Sequence, residues 1–167
     1  MNQIKNSFLK KKSGQTVDRH TVMMNPSEVK TVLLISNNDH KSLKRKVEEL
    51  FPSSSVYHLF PREIKEDRTV GFYYSVHKSD FNLTGAVKND KLRNLEKMQI
   101  DLLLDLSFGS ELLNYFVGRV KSGLKVGDIK SSKAHLYDLM VEFESDELVT
   151  ADNIFNRMMN FTQHASE

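Results

Sequence analysis

The chain contains no cysteine. Disulfides, thiolate catalysis and cysteine-held zinc are therefore excluded, and the composition suits a reducing compartment. No apolar run approaches the roughly 20 residues that a membrane-crossing helix needs. The opening MNQIKNSFLKKKSGQ sets its lysines after the apolar residues and has no apolar core segment. No secretory signal is expected, and the cytoplasm is the default compartment. Glycine is sparse, and nowhere forms G-x-G-x-x-G or G-x-x-x-x-G-K-[ST], so a dedicated phosphate cradle is missing. The six histidines, His20, His40, His58, His77, His135 and His164, form neither H-x-H nor H-E-x-x-H, which leaves a metal without support. Ser107 does not sit in a G-x-S-x-G elbow, so a hydrolase nucleophile is not expected. Nothing calls for a cofactor.

What is present is ordinary globular material, 39% hydrophobic and 28% charged over 167 residues. That length suits one domain with an added arm. The net charge of +2 conceals an asymmetry: residues 1–46 carry +7, and residues 47–167 carry −5. A basic front can meet an acidic partner, or the two ends can complement each other.

Residues 2–12 read as a short basic helix with Ile4, Phe8 and Leu9 as its apolar stripe, and Gly14 and Pro26 break the lead-in that follows. Two segments, 29–36 (VKTVLLIS) and 100–107 (IDLLLDLS), are apolar almost throughout, as a strand buried on both faces must be. Shorter strands are expected at 55–60, 70–76, 124–126 and 136–143. Leu43, Val47, Leu50 and Phe51 fall on one helical face after a cap at Asp39. Leu92, Leu95 and Met98 mark a short helix after a cap at Asp90. Ser110 caps a helix built on Leu112, Leu113, Phe116, Val117 and Val120, and Gly123 is placed to end it. A last helix is expected from Thr150 or Asp152. The alternation predicts an α/β fold. We expect a single three-layer domain over 28–167, with a mostly parallel sheet of about five or six strands. The pairs 55–60 with 70–76 and 124–126 with 136–143 leave room for antiparallel neighbours. The basic helix and lead-in, 1–27, would precede it.

In open parallel sheets ligands lie beyond the carboxyl ends of the strands. That rule selects Ser36, Asn37, Asn38 and Asp39; Asp105, Ser107 and Gly109; Gly127 and Asp128; and Glu144 and Asp146. The candidate ligand rim is Asn38, Asp39, Asp105, Ser107 and Asp128. Its oxygen ligands suit Mg²⁺ bridged by a phosphate, and the helix starts at Asn38 and Ser110 suit the phosphate itself. Helix capping accounts for the same residue types in any α/β protein. His58 and His77 fit satisfied structural residues. The basic residues make a second candidate: Lys5, Lys10, Lys11 and Lys12 in front, and Lys44, Arg45 and Lys46 in KSLKRK. If both clusters face one way, they form a surface for an anionic partner.

The segments IDLLLDLS, KSGLKVG and YDLMVEF together resemble a small family of uncharacterised proteins from the Bacteroidota. Its members show a basic N-terminal helix, then D-L-L-[IL]-D-L-S, K-x-K-V-G and D-L-M-[IV] strands. They carry an aromatic where this chain has Leu83. The resemblance spans most of 1–163 and implies an α/β domain, but no activity and no functional residue. DLLLDLS with GLKVG is also similar to a strand–helix–strand unit of heptosyltransferase-type enzymes. Those need a second Rossmann-like domain, for which this chain is too short.

The leading expectation is a non-catalytic binding module whose basic N-terminal region contacts RNA, a ribonucleoprotein or an acidic protein face. The alternative is a small enzyme or sensor that binds a phosphorylated metabolite or nucleotide at the rim. A third expectation is a subunit that pairs through GFYYSV or its acidic C-terminal helix.

Overall fold

The computed structural model describes residues 21–22, 24–39, 41–63, 70–107, 110–129, 131, 133–142 and 156. The basic helix expected at 2–12 and the last helix expected from 150 lie outside the described residues.

The elements run β1 (Thr31–Ile35), α1 (Lys41–Leu50), β2 (Ser55–Pro61), β3 (Tyr73–Val76), α2 (Asp90–Lys97), β4 (Gln99–Asp105), α3 (Glu111–Arg119), β5 (Lys121–Asp128) and β6 (Leu139–Val141). Six strands form one sheet in the order β3-β2-β1-β4-β5-β6. Every pairing is parallel. The antiparallel neighbours allowed at the two short pairs do not occur.

The two apolar strands behave as their composition demands. Val32 and Leu34 of β1 pack with Leu102 and Leu104 of β4 on one face, together with Leu43, Val47 and Phe51 of α1 and its end. Leu33, Ile35 and Leu103 point the other way, onto Leu92 and Leu95 of α2 and Leu113, Phe116 and Val117 of α3. Helices therefore cover both faces and the domain has three layers. Phe81, after β3, meets the Tyr115 ring edge-on at 5.0 Å, which seats α3 against the β3–α2 connection.

Several local expectations change. The α2 cap is Asn89, whose side chain accepts the N–H groups of Lys91 and Leu92, and Asp90 is the first helical residue. Gly123 does not stop α3; that helix ends at Arg119, with Val120 as its cap. Gly123 lies inside β5, where an added Cβ would meet the Met24 methyl at 2.9 Å and the Asp101 carbonyl at 3.0 Å. Close approach, not a left-handed turn, requires that glycine. β5 is longer than 124–126, and the strand expected at 136–143 is reduced to β6 because Ala134–Leu136 forms a 3-10 turn. Gly71, at φ 57°, turns the chain into β3 and shortens the strand expected at 70–76.

Candidate functional site

Strand order reverses between β1 and β4. The chain leaves β1 toward α1 on one face and leaves β4 toward α3 on the other. The two exits diverge, and in doubly wound sheets ligands bind outside the carboxyl ends of the strands at such a reversal point. The rim residues selected from the sequence flank it. Asn38 and Asp39 are exposed on the β1 side, and Asp105 and Ser107 are buried on the β4 side. Asp128 is buried one strand further on, at the end of β5. Gly109, Glu144 and Asp146 lie outside the described residues.

On the β1 side, the Ser36 hydroxyl donates to the Asn38 carbonyl (2.6 Å), and Ser36 Oγ lies 2.7 Å from His58 Nε2. A carbonyl can only accept, and a serine has one proton, so Nε2–H of His58 must donate to Ser36 Oγ. This fixes the imidazole tautomer. His58 is fully buried, with Phe60 and Tyr73 rings at 5.3 and 5.8 Å. It braces the first strand end and does not activate Ser36 as a nucleophile.

On the β4 side, Asp105 lies at the level of Gly127, because Leu103 pairs with Lys125 and Leu104 with Val126. The Ser107 N–H donates to Asp105 Oδ1 (2.9 Å) and the Tyr137 hydroxyl donates to Oδ2 (2.5 Å). The Tyr137 ring covers Gly127 so closely that an added Cβ would lie 2.4 Å from it. Burial pushes the Asp105 carboxyl above its ordinary range, opposed by hydrogen bonds from Ser107 and Tyr137 and reinforced by Asp128. Burial, then the Asp105 charge, pushes the Tyr137 phenol well up.

Two further buried charges, Arg62 and Lys125, were not singled out from the sequence. Arg62 follows β2, donates to the Ser75 carbonyl (2.7 Å) and pairs with Asp80 (2.8 Å), both side chains nearly inaccessible. Lys125, fully buried on β5, donates its ammonium to the Val117 carbonyl in α3. Arg62 stands where the carboxyl-end rule looks, directly after a strand. Lys125 was visible as the single charge in an otherwise apolar LKV. Tyr137 gives no such signal, since only the β5–β6 connection brings it to Asp105.

The basic cluster divides. Lys5, Lys10, Lys11 and Lys12 lie outside the described residues. Lys44 is 5% exposed. It pairs with Glu48 and sits over the Phe72 and Tyr73 rings at 5.9 and 5.2 Å. Those aromatic walls and Glu48 take Lys44 out of the surface expected for an anionic partner. Arg45 is exposed beside Glu49 (3.3 Å), and Lys46 is half-buried. Among the described residues, no group of histidines and carboxylates is arranged to hold a metal ion, and no helix is long and apolar enough to cross a membrane.

No curated protein and no solved structure matches this chain. A family model does match, over residues 2–156, and the chain belongs to that family, the family of unknown function DUF6913.

Proposed function

We propose that this protein is a cytoplasmic binding domain that receives a small phosphorylated molecule, a nucleotide or a sugar phosphate, in the crevice between β1 and β4. The reversal of strand order at that point carries the reading, because doubly wound sheets take their ligands there. The charge at its mouth supports the phosphate. α1 opens Lys41, Ser42, Leu43, Lys44, Arg45 with no acid in its first turn. A helix macrodipole favours acids at that end, so a bound anion would relieve both the dipole and the lysine charge. Binding, without catalysis, fits the polar groups, since the Ser36 proton is committed to a carbonyl and Asp105 to Ser107 and Tyr137.

A thermal-shift screen with nucleotides and sugar phosphates, with and without Mg²⁺, tests this. A ligand at 100 times its Kd adds about 2.7 kcal/mol, which is a rise of roughly 5–10 °C for a chain of this size. Lys41→Glu should abolish the rise. No shift with any of these ligands rejects the proposal.

The +7 charge on residues 1–46 favours a second reading. Lys5, Lys10, Lys11 and Lys12, helped by Arg45 and Lys46, would grip RNA, a ribonucleoprotein or an acidic protein face. Reversing the charge of Lys10, Lys11 and Lys12 should then remove a salt-sensitive partner from an affinity purification. A nuclease-treated control separates nucleic acid from protein, and an unchanged set of partners removes this reading.

A further inference from the structure

The outer edge of β5 is covered by two separate pieces of chain. β6 pairs with its carboxyl half, Val126 to Asp128. Nearer the amino end, the Val22 N–H of the lead-in donates to the Gly123 carbonyl (2.8 Å), and the Met24 methyl fills the space that a Gly123 side chain would need. Asp138 joins the two pieces. Its N–H donates to the Lys125 carbonyl (2.9 Å), its Oδ2 accepts the Lys125 N–H (2.7 Å), and its Oδ1 accepts the Thr21 hydroxyl (2.7 Å). The residue before it, Tyr137, has its ring against Gly127 and donates its hydroxyl to Asp105 (2.5 Å). We propose that Tyr137 and Asp138 form a linkage between the lead-in and the carboxyl end of β4, so that release of Thr21 and Val22 from β5 loosens the hold of Tyr137 on Asp105.

The bonds give the direction of the effect. The Asp138 side chain is exposed, so water competes for its carboxylate. Thr21 on Oδ1 favours the rotamer that presents Oδ2 to the Lys125 amide. Without Thr21 the carboxylate can turn outward, and the Lys125 amide exchanges a charged acceptor for water. Bonds to a charged acceptor are the stronger ones, so the clamp on β5 weakens. A single peptide unit, planar and stiff, separates Asp138 from Tyr137. A shift of the one is passed to the other. Tyr137 has little room to absorb it, because an added Cβ on Gly127 would lie 2.4 Å from its ring.

The linkage gives the N-terminal segment a route to the rim. Residues 1–20 carry Lys5, Lys10, Lys11, Lys12 and Arg19 against one acid, Asp18, and they enter the described fold at Thr21. An anionic partner that holds them more tightly when the lead-in is undocked would shift the molecule toward the loosened state. The bearing on a rim ligand rests on the crevice reading. The linkage itself does not, and it is measured without ligand.

Amide exchange of the full chain, read by NMR, tests it. Thr21→Val keeps the side-chain shape and removes the hydroxyl. It should speed exchange of the Val22 and Lys125 amides. At a distance it should also speed the Ser107 amide, which donates to Asp105, by about threefold. The Thr31 amide, which donates to Asp101 at the other end of β4, should keep its rate. That separates the linkage from a general loss of stability. Thr21→Ser restores the hydroxyl and should restore the wild-type rates. Asp138→Ala removes both carboxylate bonds and should act on Ser107 at least as strongly as Thr21→Val. A Ser107 rate that does not change in Thr21→Val, or that rises no more than the Thr31 rate, overturns the linkage. A responsive Ser107 in a protein that gives no thermal shift with any phosphorylated ligand supports the linkage and rejects the crevice reading alone.

Discussion

The two ends of β4 carry the same residue, placed the same way, with opposite consequences. Asp101 and Asp105 are four positions apart on one strand and each lies level with a glycine of β5, Gly123 or Gly127. Asp101 is half-buried at the amino end. Its Oδ2 accepts the N–H groups of Lys30 and Thr31 (2.8 and 2.9 Å), and its own N–H donates to the Thr31 hydroxyl (2.9 Å). This is a lock between backbones that fixes how β1 begins. Asp105, at the carboxyl end, is held by one backbone amide and by a phenol from a connection. The Asp101 carboxylate takes both of its hydrogen bonds from main chain, whereas Asp105 takes one of its two from a side chain distant in sequence.

The sharpest way to break this contrast is Gly127→Ala. The new methyl would occupy the space of the Tyr137 ring and strand Asp105, and overpacking with a lost buried partner should cost about 3 kcal/mol in a urea titration. Gly123→Ala, at the amino end, meets the flexible end of Met24 as well as a backbone oxygen, and should cost less. Tyr137→Phe leaves Asp105 Oδ2 without its donor and should cost about 2 kcal/mol. Asp101→Asn keeps an acceptor but loses the charge that strengthens two amide bonds, a loss of about 1 kcal/mol. Asp105→Asn keeps one acceptor for two donors, the Ser107 N–H and the Tyr137 hydroxyl; because the folded value of Asp105 is raised, the cost of this change should shrink as the pH rises through that value. Smallest of all, Lys41→Glu should change stability by less than about 0.5 kcal/mol, leaving any loss of ligand response to be read as a binding effect.

The sequence made much of the frame legible. DLLLDLS and VKTVLLIS show their double burial in composition alone, and Leu43, Val47 and Phe51 show a helical face through spacing. The junctions were readable as places but not as contacts. Gly123 looks like a helix stop because a glycine after an apolar helix usually is one; here the Met24 methyl and the Asp101 carbonyl, distant in sequence, press on it. Lys44 looks solvent-facing by its position in a basic run, and the turn before β3 then brings Phe72 and Tyr73 over it. Asp105 was legible as a candidate rim residue at the end of an apolar strand. That its partner is Tyr137 follows only from the parallel return to β6, which no local pattern encodes.

Binding at the reversal point is the central claim, and an NMR titration with adenosine monophosphate tests it most directly. Amide shifts concentrated in residues 36–42 and 105–112, removed by Lys41→Glu, are the predicted result. Shifts confined to residues 1–20, or none at millimolar ligand, would contradict it.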